Sequence, residues 1–143
     1  MAINTRKNES QLRKTILTYL IVSAAAVVFD QVYGVFSHGV DSVAMTWMFL
    51  YPLLGGTLFY FIVSKLFPHI IHFAGCRVFS NIHNSGIATL TLASLLKGVF
   101  EIAGTNSPHL IYYHVVGWGF LAAGLIILIV MAANQKHLTN DLA

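Results

Sequence analysis

Apolar residues gather in long runs at about 15–36, 43–67, 85–104 and 109–133, parted by short polar stretches. Each run is near the ~20 residues that a helix rising about 1.5 Å per residue needs to cross a bilayer. The pattern predicts an all-α integral membrane four-helix bundle, a single domain covering the whole chain, with lipid as its surroundings. Local punctuation agrees with these ends. Asp41 and Ser42 suit an N-cap for the second helix, and Ser107 followed by Pro108 suits the start of the fourth. Pro68 lies where the second helix should stop, and the stretch from His69 to Phe79 reads as an interfacial segment before the polar cluster Asn81 to Gly86 opens the third helix.

Composition supports the membrane reading. Hydrophobic residues make up 57% of the chain and charged ones 9%, against roughly 45–50% and about 25% in a soluble domain. The net charge of +3 reflects topology. Arg6, Lys7, Arg13 and Lys14 precede the first span, Lys65 and Arg77 flank the longer connection, and Lys136 follows the fourth span. The short connections 37–42 and 105–108 carry no Lys or Arg. By the positive-inside rule, both termini and the 68–84 connection are cytoplasmic and the two short turns are external, as expected in a bacterial plasma membrane. The basic head, the apolar run and Ala24 to Ala26 also resemble a cleavable signal peptide, but we read the segment as a retained span.

Helical spacing gives the first span a polar or small stripe of Tyr19, Ser23, Ala26, Asp30, Tyr33 and Ser37, and the third a line of Gly86, Leu90, Ala93, Lys97 and Glu101. Small residues let helices approach closely in lipid, so these two stripes are expected to face each other. The second span offers Met48, Tyr51 and Gly55, and the fourth His114, Gly117, Leu121 and Gly124.

Depth singles out a candidate site. Counting inward from the external ends, Asp30 lies roughly 9 Å deep, Lys97 roughly 10 Å, Glu101 roughly 5 Å, His114 roughly 8 Å and Tyr51 roughly 12 Å. All four spans thus place a polar group in one layer, above a cytoplasmic half that reads as almost wholly apolar. On the insertion scale, the Leu, Ile, Val and Phe residues of the third span contribute about −2.5 to −5 kcal/mol, while Lys and Glu cost about +2.5 to +3.5 each at the centre and less near an edge. Such charges need partners, and ionisable groups inside a membrane mark a functional site by default. The alternative is an ion-pair network that only sets helix register.

The expected function is that of a small transporter or channel-like protein. Its outward-facing polar pocket, built from Asp30, Lys97, Glu101, His114 and Tyr51, would bind a small polar or charged solute, a cation or a proton. Four spans enclose little volume, so a homo-oligomer or a larger membrane partner is expected. A non-catalytic accessory subunit of a membrane complex is the alternative. The seven histidines and single cysteine, Cys76, complete no zinc spacing. A bis-histidine haem needs two facing imidazoles at one depth, and only His114 is well embedded. No cofactor is therefore expected, and the sequence names no metal. No nucleotide fingerprint or nucleophile motif argues for an enzyme. The scattered basic residues give no nucleic-acid surface.

Overall fold

The computed structural model describes residues 2–37, 41–66 and 75–140, with side chains over 10–37, 41–66 and 75–134. Its elements are α1 (Ala2–Phe36), α2 (Val43–Thr46), a π-helix (Tyr51–Leu58), α3 (Phe59–Leu66), α4 (Cys76–Ile102) and α5 (Leu110–Asn140). The described residues contain no strand. Four segments, Ser10–Phe36, Val43–Leu66, Cys76–Ile102 and Leu110–Asn134, are long and apolar enough to cross a membrane. That marks the chain as a membrane protein.

The second span, built from α2, the π-helix and α3, is not a uniform helix. Ser42 is its N-cap, with an extended backbone and a side-chain oxygen that accepts from the Met45 amide at 3.3 Å. The chain then tightens, as the Met48, Leu50 and Tyr51 amides bond to carbonyls only three residues back. Pro52 follows, bringing no amide hydrogen and a ring that crowds the carbonyl four residues earlier. From Tyr51 to Leu58 the helix widens to π winding before returning to α at Phe59.

α4 begins at Cys76, not near residue 85. The cluster Asn81 to Ser85 is polar but helical, because helix hydroxyls can return to their own backbone: Ser85 donates to the Asn81 carbonyl at 2.9 Å and Thr89 to that of Ser85 at 2.7 Å. The expected stop at Pro68 and residues 69–74 of the expected interfacial segment lie outside the described residues, and Cys76–Phe79 already belong to α4. Gly104 ends the helix with φ +67°. The Thr105 amide bonds to the Phe100 carbonyl at 2.9 Å and the Gly104 amide to that of Glu101 at 3.2 Å, the paired closure of a left-handed glycine cap.

α4 is the centre of the arrangement. α5 packs along one side of it, the second span packs on another, and α1 rests mainly on the second span. The first-span stripe is therefore covered by a different neighbour from the one expected. Ser23 donates to the Phe49 carbonyl at 3.0 Å, and Tyr19 lies over Gly56, where a Cβ would come within 2.2 Å of the ring. The small residues of α4 face elsewhere: Gly86 meets Gly117 and Leu121 of α5, while Gly98 meets Met45. The second span thus separates the two stripes through most of their length.

At the end carrying the termini, a core of Tyr60, Val63, Phe79 and Leu128 draws in Leu12, Ile16 and Ile127, so that all four spans contribute. Toward the short turns, the second span and α5 stand on either side of α4 and leave a cavity between them.

Candidate functional site

The cavity has a volume of about 710 Å³, within the ~300–1,000 Å³ usual for small-ligand pockets. α4 supplies its floor at Ile87, Leu90, Ser94, Lys97 and Glu101, a run that advances about one helical turn at a time. The second span contributes Trp47, Tyr51 and Leu54 among others, and α5 contributes His114, Trp118 and Leu121. Trp47 and Trp118 are 57% and 58% exposed, so the space opens sideways between the helices.

Four of the five residues that depth selected line this one cavity: Tyr51, Lys97, Glu101 and His114. Asp30 does not. It sits on α1, which packs mainly on the second span, and no described residue of α1 lines the cavity. Ser42 instead reaches the acid. Its hydroxyl donates to Glu101 Oε2 at 2.5 Å, while Lys97 Nζ stands 3.8 Å from Glu101 Oε1. Both carboxylate oxygens of Glu101 thus have partners within the protein. Lys97 and Glu101 remain 51% and 41% exposed at their side chains, so the pair is neither buried nor sealed. The i,i+4 placement gives only a weak attraction of its own.

The other polar groups are partly committed. His114 Nδ1 lies 3.1 Å from the Leu110 carbonyl, so it carries the proton and Nε2 is left as an acceptor in the neutral ring. The Ser94 hydroxyl donates to the Ala44 carbonyl at 2.6 Å and pins α4 to α2. The expected pocket was polar, whereas most of these walls are apolar or aromatic, with the charged groups near the end of α4 and His114 near the start of α5.

Sequence reading missed a second polar group, in the half expected to be apolar. Tyr19 and Tyr60 both donate to Asn84 Oδ1, at 2.7 and 2.6 Å. Beside them His83, 3% exposed, stacks on Phe59 with ring centres 4.2 Å apart and meets Phe79 at 5.5 Å. Its Nε2 lies 2.9 Å from the Gly55 carbonyl in the π-helix, and its Nδ1 is buried without a partner. The sequence signal is the adjacent pair His83-Asn84, two polar residues on one turn of the polar cluster that opens the third helix. Gly55 also lines the cavity, so His83 holds part of the cavity wall in place.

Among the described residues, no three His, Cys, Asp or Glu side chains gather closely enough to hold a metal ion. No protein-family model, curated protein or solved structure matches the chain.

Proposed function

We propose that the chain is a small transporter or channel-like membrane protein that takes its ligand in the cavity between the second span, α4 and α5. The observation that carries this reading is the meeting of Tyr51, Lys97, Glu101 and His114, drawn from three spans, around one open space of about 710 Å³. A network that served packing alone would close on itself, whereas Lys97 is half exposed and has one carboxylate partner at 3.8 Å. The tightly packed core at the other end supports a cavity with one closed end. We place the termini on the cytoplasmic side of a plasma membrane, following the basic residues, so that the cavity lies in the outer half.

An accessory-subunit role is the second reading. It is favoured by α5, which packs chiefly on α4 and leaves a wide face, with Ile111, Val115 and Ile129 exposed, for a partner helix or another copy of the chain.

Ligand-dependent thermal stabilisation separates the two. In detergent, the parent protein should be stabilised by members of a panel of ions, polar solutes and amphiphiles, and Lys97→Gln, Glu101→Gln and His114→Asn should fold while losing that response. Absence of any response in a folded parent would leave the accessory role.

A further inference from the structure

The chemistry left over in the cavity narrows its ligand. Glu101 presents no oxygen without a partner, since Oε2 accepts from Ser42 and Oε1 faces Lys97. A cationic ligand would have to share that carboxylate with the Ser42 hydroxyl and with a lysine already in place, whose charge opposes it. Lys97 has three ammonium hydrogens and one loose carboxylate contact, and His114 has Nε2 remaining. An ammonium and an imidazole lining one cavity suit a carboxyl head: Lys97 donates to the carboxylate, and His114 accepts from the acid form or, once protonated, donates to the anion.

The rest of the cavity has the opposite character. From Glu101 back to Ile87 the floor runs about 21 Å along α4, and its deeper part is faced by Leu54, Ile87, Leu90 and Leu121. A hydrated ion would leave those walls unmatched, and hydrocarbon would cover them favourably. The polar end lies near the short turns, so a bound amphiphile would be oriented like a lipid of the same leaflet. The volume of about 710 Å³ is that of a site for one ligand molecule. The sideways opening between Trp47 and Trp118 admits it from the bilayer.

Resting on the reading of this cavity as a ligand site, we propose that the ligand is a single-chain amphiphile with a carboxylate head, held head-first at Lys97 and His114 with its chain passing the two tryptophans.

The chain contains two tryptophans, and both line the cavity. Tryptophan emission of the full chain in phosphatidylcholine vesicles therefore reports occupancy when a long-chain fatty acid brominated at mid-chain is added. The expected result is saturable quenching by the acid, relieved by its unbrominated counterpart. The brominated methyl ester and brominated phosphatidylcholine should quench only in proportion to their mole fraction. Lys97→Gln should weaken the acid's apparent affinity about tenfold, the loss expected for a hydrogen bond to a charged group, without changing quenching by the brominated phospholipid. Equal, non-saturable quenching by acid and ester in the parent protein overturns the proposal and needs no variant to do so. Saturable quenching by a brominated alkyltrimethylammonium instead of the acid overturns the carboxylate assignment while leaving the cavity a ligand site. Absence of saturation with every probe, together with a silent thermal-shift panel, removes both readings.

Discussion

Ser42 and Glu101 are joined by a 2.5 Å hydrogen bond from hydroxyl to carboxylate, although 59 residues separate them in the chain. The same Ser42 oxygen accepts from the Met45 amide, so one side chain starts the second span and fastens it to the last turn of α4.

Removing that hydroxyl costs both functions. Ser42→Ala should destabilise the protein by about 1–3 kcal/mol, combining a lost N-cap with a lost bond to a charged acceptor that is itself partly solvated. Glu101→Gln should cost less, because its amide can still accept from Ser42. Thermal melts of the two variants and the double variant should give a combined loss smaller than the sum, as expected for residues in contact.

The Tyr19–Asn84–Tyr60 group should respond asymmetrically. Tyr19→Phe and Tyr60→Phe each remove one donor and leave Asn84 Oδ1 with the other, a loss of about 0.5–1.5 kcal/mol. Asn84→Ala removes the shared acceptor of both phenolic hydroxyls at once and should exceed either. Ranking the three midpoints in one detergent checks the order, and a neutral Asn84→Ala would contradict the network.

Gly56 has a defined steric reason to be glycine. A Cβ there falls 2.2 Å from the Tyr19 ring, so Gly56→Ala must push α1 away, at about 1–3 kcal/mol. In a Tyr19→Ala background the added methyl has space, and the same substitution should then cost much less. Equal losses in both backgrounds would show that the ring does not set the contact.

His83 can be divided into its ring and its hydrogen bond. His83→Phe keeps an aromatic ring against Phe59 and Phe79 and removes both the bond to the Gly55 carbonyl and the unpartnered nitrogen, so its net effect should be within about 1 kcal/mol. His83→Ala empties a site that is 3% exposed and should cost about 3–5 kcal/mol, as for truncating a buried aromatic. Thermal melts of the two variants should differ accordingly.

The orientation is open to a direct check. In a Cys76→Ser background, Asn106→Cys in intact cells should react with a membrane-impermeant maleimide added outside, and Asn134→Cys only after permeabilisation. The reverse pattern would turn the molecule over.

Much of this was legible in the chain, because depth in a membrane helix follows from counting. Lys97, Glu101, His114 and Tyr51 share a level in sequence and share a cavity in space. Azimuth was less accessible. Asp30 has a suitable depth but belongs to a helix that packs on the second span, and no count along α1 reveals its neighbour. The polar opening of α4 hides its contacts for a different reason: Asn81, His83, Asn84 and Ser85 have the polarity of a helix start, but their partners are on other spans or on their own backbone. The π-helix was invisible to a wheel drawn at 3.6 residues per turn, since Pro52 announces a local disturbance without saying how the helix absorbs it.

That widened stretch divides the second span into two surfaces with separate phase. Before it, Trp47 lines the cavity, and after it Tyr60 and Val63 enter the closed core. A uniform rod would couple the two facings rigidly, so that turning one toward its target would misdirect the other. An extra-wide turn between them lets each end keep its own heading, and a one-residue deletion within Tyr51–Leu58 should swing Tyr60 off Asn84 while leaving Trp47 where it is.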